Sequence, residues 1–247
     1  MSSIFEWTTP PIPYRVLPIF FIIDKSGSMH GDNSAGINNA MKNVLPAIAE
    51  ISHNNLETKI HVAVLEFSTT AEWMHDGLIE ANDFIWKEIK AGGSTSLGAA
   101  CVELASKLTR KTFMSYDYGY KTPPIIVLLT DGEPADDFEE GLRSLQNNNW
   151  FKHSTKIAIS IGNDTDMNVL EKFTDNIEAV VKVHNIDALK AMIHTITITS
   201  LQIGCRIGAG NHLNNQQQLI EEIEDAVKYT YGAESAVTPT DSHDDWF

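Results

Sequence analysis

Cysteine is scarce in this chain: Cys101 and Cys205 are the only two among 247 residues. They stand in unrelated contexts and make neither a metal-ligand pair nor a redox C-x-x-C pair, so a reducing compartment is the simpler reading. Basic residues are also few, 18 Lys and Arg against 33 Asp and Glu, for a formal charge of -15. No basic cluster is visible, which argues against nucleic acid as a partner, since phosphate binding needs a Lys/Arg-rich face. Long hydrophobic runs are missing as well. The longest, Val16 to Ile23, is eight residues, far short of the roughly 20 that span a bilayer. Met1 to Thr9 has no basic start and no long apolar stretch and carries Glu6, so no secretory signal is read there and the mature protein is expected to keep it. A cytoplasmic location follows as the expectation. The nine histidines show no paired zinc spacing. There is no Walker A motif and no Gly-x-Gly-x-x-Gly after a strand. Gly27-Ser28-Met29-His30-Gly31 is not a Gly-x-Ser-x-Gly nucleophile elbow, and no internal repeat is present.

What is present begins at Leu17, where Leu-Pro-Ile-Phe-Phe-Ile-Ile runs directly into Asp24-Lys-Ser26-Gly-Ser28-Met29. A buried strand is thus followed at once by one carboxylate and two hydroxyls on a tight loop. In open α/β sheets, ligands bind beyond the carboxyl ends of the strands. Oxygen-only donors of this kind suit a hard cation such as Mg²⁺.

Helical spacing of Ile37, Met41, Val44, Leu45 and Ile48 predicts a first helix reaching about His53, with Pro46 as a kink or weak point. A strand follows over 60–67, and 73–78 reads as a short edge strand. The loop Ala91-Gly-Gly-Ser-Thr-Ser-Leu-Gly98 opens a helix whose buried stripe is Leu97, Cys101, Leu104 and Leu108. After Pro123-Pro124 comes the apolar strand 125–129, ending in Thr130-Asp131-Gly132. Asp136 and Asp137 are placed at the start of the next helix, where the positive dipole end favours carboxylates, and Phe138, Leu142 and Leu145 form its apolar face. A strand over 156–161, a helix over 167–173, a strand over 179–183 and a helix from Asp187 to about Leu201 complete the pattern. Strands separated by helices on this schedule imply an α/β fold: a Rossmann-like, mostly parallel central sheet with helices on both faces.

Beyond Gly204 the composition changes to glycine, asparagine and glutamine, then to an amphipathic stretch carrying Leu219, Ile220, Ile223 and Val227. From Asn211 onward there are eight acidic residues against Lys228 alone. We therefore divide the chain into a domain over 14–203 and an acidic extension over 204–247, with a short helix over 219–231 and a disordered end. Trp246-Phe247, after Asp244-Asp245, is a candidate recognition motif.

Asp-x-Ser-x-Ser alone is a weak signal, because these are common turn residues. It is strengthened by two further loops at the same end of the sheet, one carrying Thr95 and one carrying Asp131. On these motifs the sequence resembles the von Willebrand factor A (VWA) domain family over about 14–203. The family's metal-ion-dependent adhesion site (MIDAS) combines Asp-x-Ser-x-Ser, a Thr from a second loop and an Asp from a Thr-Asp-Gly loop. The resemblance implies the metal ligands Asp24, Ser26, Ser28, Thr95 and Asp131. Ser94 is an extra residue between glycine and threonine, which leaves it as the alternative second-loop hydroxyl. Tyr14 to Met29 and Ile193-His-Thr-Ile-Thr-Ile-Thr-Ser200 look most like the TerY-like, tellurite-resistance group.

What the resemblance implies is a non-enzymatic adaptor that holds Mg²⁺, or Mn²⁺ in its place. The incompletely neutralised ion would accept an acidic side chain from a protein partner, in a bacterial stress-response or defence system linked to kinase or phosphatase modules. Two other classes are set beside it. One is a VWA subunit serving a separate ATPase. The other is a metal-dependent phosphohydrolase, for which the haloacid-dehalogenase pattern needs a second Asp where Ser26 stands. Glu66, Glu133 and Asp136 are candidates for tuning the ion indirectly, and His30 flanks the site.

Overall fold

The computed structural model describes residues 14–115, 119–162 and 165–206, together with Gln217, Ile220, Glu221 and Asp225. Its centre is β1 (Arg15–Asp24), nine of whose ten residues are buried. Both faces of β1 are covered, which is why its sequence is a continuous apolar run rather than an alternating one. Helix α1 (Asp32–Asn54) leads into β2 (Thr58–Phe67), which pairs parallel to β1 from Arg15 opposite Thr58 to Asp24 opposite Phe67. Pro46 lies inside α1 on its exposed side, where its missing N–H faces water rather than the core.

The chain then turns back along the outer edge. Two short antiparallel pieces, β3 (Ala71–Trp73) and β4 (Ile79–Glu80), both pair with β2, in place of the single edge strand expected over 73–78. Helix α2 (Leu97–Lys107) follows, then a two-residue strand, β5 (Tyr120–Lys121), against the start of β1. Strand β6 (Ile125–Thr130) lies parallel to β1 on the side away from β2. Beyond it come α3 (Phe138–Gln146), the single turn α4 (Asn149–Lys152), β7 (Thr155–Ile161), α5 (Met167–Thr174), β8 (Val180–Val183) and α6 (Ile186–Arg206). The sheet order is β3-β2-β1-β6-β7-β8, with β4 and β5 as side pairs. All pairings are parallel except the edge pieces on β2. Strand β5 and the single helical turn α4 are too short to leave a periodic signal, and α6 runs past the Leu201 expected from sequence.

Two cores flank the sheet. Ile19, Phe21 and Ile23 of β1 pack with α1 and α6, while Phe20 and Ile22 pack with α2, α3 and α5. Helices α2 and α3 meet through glycines: a Cβ at Gly141 would stand 2.3 Å from the Gly98 carbonyl oxygen. The expected helix over 219–231 and the acidic end fall mostly outside the described residues. Ile220 is buried, and Glu221 and Asp225 are exposed.

This topology creates one crevice of functional interest. Strands β2 and β6 flank β1 on opposite sides, so the carboxyl ends of β1 and β6 border the point where the winding reverses. Ligands collect at such switch points in open α/β sheets.

Candidate metal centre

The β1 ladder continues one residue beyond the strand, with the Lys25 N–H donating to the Phe67 carbonyl at 2.7 Å. Then the chain turns. The Ser26 N–H donates to Asp24 Oδ1 at 2.7 Å, an Asx-type turn that fixes the carboxylate as it bends the backbone. A 3-10 turn, Gly27–Met29, follows, anchored by the fully buried Met29. Asp24 and Ser26 form the buried floor of the site, while Ser28 is exposed.

Backbone hydrogen bonds clip the second loop to the first. The Gly27 N–H donates to the Gly93 carbonyl at 2.9 Å and the Gly92 N–H to the Lys25 carbonyl at 2.7 Å. Gly93 has φ +93°, and a Cβ there would meet Thr69 Oγ1 at 2.7 Å, so the close approach requires glycine. The Ala135 N–H donates to the Thr95 carbonyl at 2.7 Å, joining the second loop to the third. Asp136 completes that junction: its two carboxylate oxygens accept from the N–H groups of Gly98 and Ala99, at 2.9 and 2.8 Å. Asp136 therefore caps α2, not the following helix as sequence suggested. Asp137 is the N-cap of α3 and accepts from the Glu140 N–H.

The side chains of the three loops converge. Ser26 Oγ and Ser28 Oγ are 3.0 Å apart, and Ser28 Oγ donates to Asp131 Oδ1 at 2.6 Å. A Cβ at Gly132 would lie 3.6 Å from Thr95 Oγ1 and 3.8 Å from Ser28 Oγ, so both hydroxyls border one point. Ser94 is exposed, and its N–H is taken by Thr69 Oγ1 at 3.1 Å. Of the two second-loop hydroxyls, Thr95 is the one brought beside Ser28.

Two further side chains, outside the five proposed ligands, hold these carboxylates. The Thr130 hydroxyl donates to Asp24 Oδ2 at 2.6 Å, and Asn33 Nδ2 donates to Asp131 Oδ2 at 3.2 Å. Thr130 sat in plain view in Thr-Asp-Gly, but Asn33 carries no spacing signal because it lies in the first turn of α1. The remaining candidates stand apart. Glu66 is 3.0 Å from Lys25 Nζ. Glu133 and His30 are exposed.

Burial pushes the Asp24 carboxyl above its ordinary value; the hydrogen bonds from Thr130 and Ser26 offset part of this, and the nearby Asp131 charge adds to it. Among the described residues, no Lys, Arg or His forms an ion pair with Asp24 or Asp131. Two close carboxylates with only neutral donors around them form an electronegative pocket that a cation would relieve. The donor set suits a hard cation: hydroxyl and carboxylate oxygens only, with Ser26 Oγ and Ser28 Oγ 3.0 Å apart and Ser28 Oγ hydrogen-bonded to Asp131 Oδ1 at 2.6 Å.

A doubly wound α/β domain with a hydroxyl and carboxylate cluster at its switch point is the class defined by fold and site. The chain belongs to the von Willebrand factor type A domain family, whose model matches residues 19–195. Similar solved structures include a von Willebrand factor type A protein from Catenulispora acidiphila, 18% identical, covering 74% of this chain and 42% of that one with a TM-score of 0.54. Another is the ArnB paralog VWA2 from Sulfolobus acidocaldarius, 18% identical, covering 74% and 46% with a TM-score of 0.53. A third is proximal thread matrix protein 1 from the mussel byssus, solved with a zinc-occupied MIDAS motif, 17% identical, covering 75% and 49% with a TM-score of 0.55. The chain spans under half the length of each of these three. At such identities the likeness is one of fold.

Proposed function

We propose that Asp24, Ser26, Ser28, Thr95 and Asp131 hold a divalent cation and that the protein uses it to bind an acidic side chain on a protein partner. The observation that carries this reading is the convergence of three loops on one oxygen cluster, with a buried carboxylate and, among the described residues, no basic ion-pair partner. Mg²⁺ is the ion best matched by hydroxyl and carboxylate donors, with Mn²⁺ as a substitute. The zinc-occupied motif of the mussel protein supports placing Zn²⁺ in the same test.

The chain's residues divide the work. Asp24, held by Ser26 and Thr130, supplies fixed negative charge at the floor. The three hydroxyls are neutral donors, so the ion keeps much of its charge and attracts a further carboxylate. Ser28 is exposed and Thr95 half-buried, leaving the outer side of the cluster open to a partner. A binding module, rather than an enzyme, is the reading we favour: the hydroxyl–carboxylate pair Ser28–Asp131, 2.6 Å apart, is taken up as two of the proposed metal ligands rather than as a nucleophile and its base.

We further propose, from the likeness of Tyr14 to Met29 and Ile193 to Ser200 to the TerY-like group, an adaptor role in a bacterial cytoplasmic stress response of the tellurite-resistance kind, connected to kinase or phosphatase modules. Among the described residues, no helix is long and apolar enough to cross a membrane.

Isothermal titration of chelator-stripped protein with Mg²⁺, Mn²⁺ and Zn²⁺, beside Asp131→Ala, tests the metal. Saturable one-to-one binding lost in the variant is expected; identical isotherms for the two proteins overturn the site. Affinity capture with and without chelator tests the partner, and recovery of the same proteins in both conditions overturns metal-dependent binding.

A further inference from the structure

We infer that Asn33 is a positioning residue of the metal centre: its amide sets the orientation of Asp131 and through it the centre's preference for Mg²⁺ over Ca²⁺. This rests on the metal reading above and goes beyond it to a residue outside the three motif loops.

Asp131 has two oxygens with different duties. Its Oδ1 faces the cluster, 2.6 Å from Ser28 Oγ, while its Oδ2 accepts from Asn33 Nδ2 at 3.2 Å. With one oxygen held on each side, the carboxylate plane is fixed rather than free to rotate. Asn33 is itself well placed for this. It sits in the first turn of α1, and that helix is locked to the sheet by Ile37, Met41 and Val44, all fully buried. Asp24 is treated the same way, with Oδ1 on the Ser26 N–H and Oδ2 on the Thr130 hydroxyl. Each carboxylate thus has one oxygen anchored by a neutral side-chain donor that is not among the five proposed ligands.

A neutral donor matters chemically. A lysine or arginine in the place of Asn33 would orient Asp131 equally well but cancel its charge and compete with the cation. A carboxylate there could not donate at all. The amide orients Asp131 and leaves the negative charge for the ion. Contacts of this kind around a metal typically change affinity 10–100-fold when removed. Mg²⁺ demands near-ideal octahedral geometry at about 2.1 Å, whereas Ca²⁺ accepts longer and irregular coordination. Loosening Asp131 therefore penalises Mg²⁺ more than Ca²⁺.

The test is titration of the full chain and of Asn33→Ala with Mg²⁺ and Ca²⁺, alongside thermal melting of both in chelator. Asn33 is only half-buried, so the chelated melting temperature is expected to stay the same. The Mg²⁺ dissociation constant is expected to rise about 10-fold or more, and that for Ca²⁺ by clearly less. Equal losses for both ions, or no loss for either, would overturn the positioning role while leaving the metal site standing. Absence of any binding by the unaltered protein overturns the metal reading and this inference together.

Discussion

Lys25 stands between two of the proposed ligands, yet its charge is spent elsewhere. Its ammonium lies 3.0 Å from Glu66 and 3.8 Å from Glu72, and those two glutamates face each other directly across β2 and β3. Like charges opposed across a strand pair destabilise it, so the lysine neutralises a conflict at the sheet edge and stays out of the cation pocket. Lys25→Met is expected to cost about 1–2 kcal/mol, read as a lower urea midpoint; an unchanged midpoint would show that water alone separates the glutamates. Asp24 is the opposite case, a charge held where the fold does not welcome it. Because burial raises its pKa, the ionised carboxylate is a liability to the metal-free protein. Asp24→Asn keeps an acceptor for the Ser26 N–H, and the Thr130 hydroxyl can rotate to meet the new amide. The variant is expected to lose metal binding in calorimetry while melting in chelator at or above the unaltered protein's temperature. Residues of this kind trade stability for function. At this scale the sequence was informative about chemistry and poor about partners. All five proposed ligands were legible as motif positions, whereas Asn33 and the α2-capping role of Asp136 depend on loops meeting across roughly 38 to 98 residues of chain, which no local pattern encodes.

Between elements, the contact of α2 with α3 matters most for the site, because α2 begins two residues after Thr95. Gly98 and Gly141 let the helices touch backbone to backbone, and a methyl group at Gly141 would overlap the Gly98 carbonyl. Gly141→Ala is expected to destabilise by about 1–3 kcal/mol and to weaken metal binding as well, since the displaced helix carries the Thr95 loop. A stability loss with unchanged affinity would separate the helix contact from the site. His61 supplies a pH signature on β2, on the same face of the sheet as Ala63 and Leu65. Burial, with Lys121 adding to it, lowers its pKa from the ordinary 6.5, and Glu80, opposite it in register, works against the shift. The fold thus prefers the neutral ring, while the unfolded chain takes up its proton near pH 6.5. The stabilisation is complete above that value and is lost as pH falls below it toward the lowered folded pKa. Denaturation at pH 7.5 and 5.5 is expected to show the unaltered protein losing more stability than His61→Leu over the same interval; equal losses would place the titration elsewhere. The helices and long strands were readable because each buries a continuous face: α1 repeats its apolar residues at helical spacing, and β1 and β6 are apolar on both faces. The edge pieces were not, because β3, β4 and β5 are two or three residues long and are defined by what they pair with.

For the molecule as a whole, a formal charge of -15 sets a background of self-repulsion against which one divalent ion acts at a single point. An ion bound by the folded chain and not by the unfolded one stabilises by mass action, about 2.7 kcal/mol at 100 times its dissociation constant. For a chain of this size each kcal/mol is worth about 2–4 °C, so saturating Mg²⁺ is expected to raise the melting temperature by about 5–10 °C. The unfolded state scatters the five ligands over more than 100 residues of sequence, so it offers no competing site and the full effect should be felt. Simple screening of the acidic surface would also stabilise, but it would do so equally well with enough monovalent salt and in every variant. The discriminating measurement is thermal melting with Mg²⁺ at constant ionic strength, comparing the unaltered chain with Asp24→Asn. A shift confined to the unaltered chain assigns the stabilisation to the cluster at the switch point; the same shift in both would assign it to the acidic surface and leave the cluster without an ion of its own.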